Sequence, residues 1–89
     1  MAHDFSYFMF MLTPEQSRAA RAWLDWSQEQ LAERANVSLS TVRDFEKGRR
    51  TPIRNNLEAM AKALEGNGVR LLFQADGNPS GIEVLRLET

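Results

Sequence analysis

The chain contains no cysteine and only one histidine, His3. The first absence excludes a thiolate nucleophile, a disulfide staple and cysteine-bound zinc, and is compatible with a reducing cytosol. The second leaves no triad or metal cluster to be assembled, because His3 lies in the N-terminal segment. No apolar run approaches the ~20 residues of a membrane span, and no cleavage-site pattern follows the apolar start. Gly66-Asn67-Gly68 lacks the lysine and the helix that a phosphate-cradling loop requires. Carboxylates are scattered, and spacing selects no pair. The expectations are no enzyme, no metal, no cofactor and a soluble, cytoplasmic protein.

Net charge is also nearly absent, −1 at pH 7, and taken alone it argues against a polyanionic partner. Its distribution points the other way. Between Ser38 and Asn56 five cations (Arg43, Lys47, Arg49, Arg50, Arg54) face two carboxylates (Asp44, Glu46), a local +3. A local basic face matters more to phosphates than the total does. With 89 residues, 43% of them apolar and 26% charged, the chain is long enough for one domain with a modest core.

Helix signals dominate the middle of the chain. Thr13-Pro14-Glu15-Gln16 reads as a capping box with proline at the first helical position. Ala19, Ala22, Trp23 and Trp26 follow at helical spacing and are expected to form the buried face. Ser27-Gln28-Glu29-Gln30 is a second capping box, opening a short helix that ends near Ala35 with Leu31, Ala32 and Ala35 inward. Asn36 is a candidate left-handed cap, since asparagine tolerates positive φ. Ser38 caps a third helix, from about Leu39 to Lys47, that Gly48 closes. After the Thr51-Pro52 break, Leu57, Met60, Ala61 and Leu64 mark a fourth amphipathic helix.

The two ends read differently. Met1 to Leu12, rich in aromatics and methionine, is expected to be a tail or a short strand. From Val69, Val69-Arg70-Leu71-Leu72-Phe73 and Ile82-Glu83-Val84-Leu85-Arg86-Leu87 flank Asp76-Gly77-Asn78-Pro79-Ser80-Gly81, which predicts a β-hairpin. The expected organisation is residues 1–12 as tail, 13–65 as a helical domain and 66–89 as the hairpin.

Two short helices separated by only Asn36-Val37-Ser38, the second followed by basic residues, have the geometry of a helix-turn-helix. The residue pattern sharpens this. Ser27-Gln28-x-x-Leu31-Ala32-x-x-Ala35-Asn36-Val37-Ser38-x-Ser40-Thr41-Val42-x-x-Phe45-Glu46-x-Gly48-Arg49-Arg50-x-Pro52 resembles the Cro/cI (XRE-like) repressor family, over about Thr13 to Leu64. Asn36 departs from the family's usual glycine. The resemblance implies a mostly α fold, a four-to-five-helix lambda-repressor-like bundle, here followed by the hairpin. It also implies a transcriptional regulator of double-stranded DNA.

Candidate site residues follow from the helical wheel and from the resemblance. Val42 and Phe45 define the inner side of the third helix, so Ser40, Arg43, Asp44 and Lys47 project outward, with Leu39 on the border. In a major groove Arg43 suits guanine, Asp44 suits cytosine N4 and Leu39 suits a thymine methyl. The expected base readers are Leu39, Ser40, Arg43 and Asp44. Gln28, which the resemblance places against a phosphate, joins Thr41, Lys47, Arg49, Arg50 and Arg54 as backbone contacts. The resemblance further pairs Arg21 with Glu46 as a buried, structural ion pair.

A homodimeric repressor on a palindromic operator is the leading expectation, since one such module buries little surface on DNA. Both faces of the predicted hairpin carry apolar residues, Leu72, Leu85 and Leu87 on one and Val69, Leu71, Phe73, Ile82 and Val84 on the other, which makes it the expected dimerisation element; the other reading of the hairpin is that it folds over its own helices and Met1 to Leu12 covers its other side. The alternative is a protein-interaction module, an antitoxin or antiactivator that holds a partner protein with the same fold. Near-neutral charge and the aromatic N-terminal segment favour it.

Overall fold

A computed structural model describes residues 11–85. Among these residues four helices, α1 (Pro14–Leu24), α2 (Gln28–Ala35), α3 (Leu39–Glu46) and α4 (Arg54–Glu65), precede an antiparallel hairpin of β1 (Val69–Phe73) and β2 (Pro79–Val84). The fold is mostly helical with a C-terminal hairpin, as expected. Both capping boxes form: the Thr13 hydroxyl accepts from the Gln16 N–H and the Ser27 hydroxyl from the Gln30 N–H, each with the reciprocal bond. Ser38 caps α3 through the Thr41 N–H. The first three helices also stop by one device. Asp25, Asn36 and Gly48 adopt positive φ, and the next N–H turns back to a carbonyl in the last turn: Trp26 to Arg21, Val37 to Ala32, Arg49 to Asp44.

The core lies where α2, α3 and α4 converge, with Leu31, Val42, Met60 and Leu64 fully buried. α2 packs on both α3 and α4, α1 bridges α3, α4 and β2, and β1 covers α4. Truncating Leu31 to alanine here would cost about 2–5 kcal/mol through lost transfer energy and a residual cavity. Leu12, assigned above to the N-terminal segment, is 4% exposed and belongs to this core. The expected tail or strand otherwise falls on residues 1–10, and the end of the hairpin, Arg86 and Leu87 included, on 86–89; both lie outside the described residues.

The expected inner face of α1 is wrong by one position around the helix. Gln16, Ser17 and Ala20 are buried, whereas Ala19 and Ala22 are exposed and Trp23 is 51% exposed. Two polar residues go inside because each has a partner far along the chain. The Gln16 amide donates to the carbonyls of Leu72 (2.9 Å) and Gly81 (3.1 Å), and its own oxygen accepts from the Thr13 N–H. Ser17 donates to the Glu46 carboxylate. Trp26 lies beyond the helix, half-buried, with the Arg34 guanidinium 4.4 Å from its ring.

In the hairpin, Val69 pairs with Val84, Arg70 with Glu83, Leu71 with Ile82 and Leu72 with Gly81. Val69 and Leu71 face the core, with Phe73 and Ile82 packed beside them. The turn is shorter than the residue types suggested. Pro79, Ser80 and Gly81 belong to β2, and a bulge between Leu72 and Phe73 absorbs the extra residue. The opposite face is more polar than expected, since Arg70 and Glu83 form an exposed cross-strand ion pair of 3.0 Å between Leu72 and Leu85.

Candidate nucleic-acid interface

α3 is held by its ends. At the N-terminus the Ser38 hydroxyl accepts from the Thr41 N–H (3.1 Å) and lies 2.8 Å from the Thr41 hydroxyl and 3.1 Å from that of Ser40. At the C-terminus Glu46, 2% exposed, gathers three elements. The Arg21 guanidinium donates to both carboxylate oxygens, at 2.7 Å from Nη2 and 2.9 and 3.1 Å from Nε. Ser17 and Gln28 add a hydroxyl and an amide N–H. Arg18 donates to the Glu46 backbone carbonyl, and Arg21 also donates to the carbonyl of Trp26. Burial pushes the Glu46 pKa up, but the bonds from Arg21, Ser17 and Gln28 and the charge of Arg21 outweigh it and hold the carboxyl below its usual range.

Pinned in this way, α3 buries Val42, Phe45 and Glu46 and turns Ser40, Arg43 and Lys47 to solvent, with Asp44 half-exposed. Leu39 is half-buried against the core. Glu46 is neutralised by Arg21, so the outward face carries the cations against Asp44 alone. Beyond Gly48 the N–H groups of Arg49 and Arg50 both turn back to the Asp44 carbonyl, which fixes where this exposed pair leaves the helix. A concavity of about 230 Å³ runs beside α3, lined by Ser40, Thr41, Asp44, Arg50 and the start of α4. Arg54 opens α4, whose cap residue Ile53 offers its N–H groups no side-chain acceptor. Such a terminus favours an anion.

Of the expected backbone contacts, only Thr41 and Arg50 line this concavity. Arg54 lines a separate cavity with Met11, Leu12, Phe45 and Leu57. Gln28 stands at the first position of α2, as expected, and gives one amide N–H to Glu46 at 3.1 Å. Thr51, Ile53 and Asn56 line the concavity and were not foreseen. Ser17 and Arg18 were also missed, although Ser17 precedes Arg21 by one helical turn and so shares its face.

A short helix pair with a left-handed turn, a pinned second helix presenting polar side chains, and flanking cations define a DNA-binding helix-turn-helix. The family model described as helix-turn-helix matches residues 18–68, more than half of the chain. The chain therefore belongs to the Cro/cI-like helix-turn-helix family, a family of DNA-binding regulators and not of enzymes. The match ends at Gly68, immediately before the hairpin. No curated protein sequence matches the chain. No helix among the described residues is long and apolar enough to cross a membrane.

Proposed function

We propose that the protein is a cytoplasmic, homodimeric transcriptional repressor that lays α3 in the major groove of a palindromic operator. The observation that carries this reading is the outward presentation of Ser40, Arg43 and Asp44 on a helix fixed at both ends. Arg43 bonds guanine O6 and N7, Asp44 accepts from cytosine N4, and Ser40 and Leu39 complete the readout. Gln28, Thr41, Lys47, Arg49, Arg50 and Arg54 hold phosphates on either side. Glu46 serves as the joint. By tying α3 to α1 and to Gln28, it fixes the reading helix relative to a backbone contact.

Selection of bound sequences from a random duplex pool, followed by two variants, tests this division of labour. Arg43→Ala should cost roughly 1–3 kcal/mol at the selected site and relax preference at one base pair. Arg50→Ala should weaken selected and scrambled duplexes alike. Equal weakening of both duplexes by Arg43→Ala would refute the assignment. A partner-binding module, antitoxin or antiactivator, is the second reading. It is favoured by the large apolar side chains left in solvent, Trp23 (51%), Ile53 (69%) and Leu85 (48%).

A further inference from the structure

The outer face of the hairpin, turned away from the core, has an internal pattern. The strand register places Leu85 across from Gly68, joined by the Leu85 N–H to Gly68 carbonyl bond of 2.7 Å. Two residues along stands the Arg70–Glu83 pair, and two further stands Leu72 across from Gly81. Strand alternation puts these six on one face. Each leucine is opposite a glycine, on alternate strands, with a cation and an anion between them. An added Cβ at Gly81 would meet nothing within 4 Å, so the space beside Leu72 is open. Leu85 is 48% exposed, and the Arg70 and Glu83 side chains are 60% and 49% exposed.

We propose that this face is self-complementary and docks a second copy of the chain, related by a two-fold axis parallel to the strands. Such an axis lays β1 of one protomer over β2 of the other at the same height. Arg70 then faces the partner's Glu83, and Glu83 the partner's Arg70. Leu72 enters the notch at the partner's Gly81, and Leu85 packs over the partner's Gly68, where an added Cβ would lie 3.1 Å from the Leu85 carbonyl oxygen. A two-fold axis across the strands would instead set Arg70 on its own copy, which the charges forbid. The proposal rests on the homodimer of the preceding reading and names its surface. The ribbon is only about 17 Å long, smaller than the roughly 800 Å² per partner of a stable interface. The dimer should therefore be weak in free solution and completed on a two-fold operator.

The test is sedimentation equilibrium of the full chain up to millimolar concentration, with R70E, E83R and an equimolar mixture of the two. Each single variant puts like charges opposite one another and should weaken the dimer about tenfold or more. Mixing them should restore association, because one copy then carries two glutamates against two arginines. Within each copy the like charges remain, so recovery can come only from contact between copies. Circular dichroism melts confirm that each variant folds. A wild type that stays monomeric, a single variant that dimerises like wild type, or a mixture that does not recover overturns the proposal. Binding of R70E to a half-site duplex separates the two readings, because it should persist if α3 reads DNA, whatever the dimer does.

Discussion

Replacing Glu46 by glutamine keeps the size of the side chain and removes its charge. The carboxylate accepts from Ser17, Gln28 and both donating groups of Arg21. A glutamine offers one oxygen and turns an NH₂ group toward donors that need an acceptor. Breaking a buried ion pair by removing one partner costs about 3–5 kcal/mol. The Arg21 side chain is 18% exposed and keeps the Trp26 carbonyl, so the lower end applies, about 3 kcal/mol. For a domain of this size each kcal/mol moves Tm by roughly 4–8 °C. Thermal melts at neutral pH should therefore show Glu46→Gln some ~12–24 °C below wild type. Arg21→Met should be at least as severe, since it strands a carboxylate whose side chain is 1% exposed. Replacing both residues by methionine should cost less than the two single substitutions combined. Single variants melting within about 3 °C of wild type would refute the view that this cluster holds α3.

Because the folded pKa of Glu46 is depressed, its contribution is fully present above the unfolded value of about 4.3 and is lost as pH falls through the lower folded value. Wild-type stability should therefore fall below about pH 4.3 more steeply than that of Glu46→Gln, and urea titrations across that range should show the two curves converging; parallel curves would contradict the assignment. Gln16→Leu strips the Leu72 and Gly81 carbonyls of a donor and the Thr13 N–H of an acceptor, at a cost of about 1–3 kcal/mol. Hydrogen exchange should then accelerate in β1 and β2 while the α2–α3 amides stay protected, and uniform acceleration would show that Gln16 is not what clamps the hairpin to α1.

Local signals were legible wherever a residue acts on its own neighbourhood. Thr13, Ser27 and Ser38 each cap the N–H group three residues ahead, and Asn36 takes the left-handed conformation its side chain tolerates. The stripe of Leu57, Met60 and Leu64 needed only its period, and the phasing of Val69, Leu71 and Ile82 needed only alternation. Reading failed where a polar residue is satisfied from a distance. Gln16 and Ser17 look like surface on a wheel, and only the carbonyls of the hairpin and the carboxylate of Glu46 explain why they are inside. The same blindness hid the bond that Gln28 gives to Glu46. Thr51, Ile53 and Asn56 were passed over because a concavity between two helices has no periodicity of its own.

Affinity for a selected duplex as a function of salt tests the central claim most directly. If α3 and its flanking cations bind DNA, log K should fall linearly with log salt, with a slope of about −0.9 for each phosphate neutralised. Arg50→Ala should flatten that slope by about one unit for each phosphate left without its arginine, counted over both subunits. A wild-type protein with no affinity for any duplex at low salt, or with binding indifferent to salt, would contradict the account and leave the partner-binding module in its place.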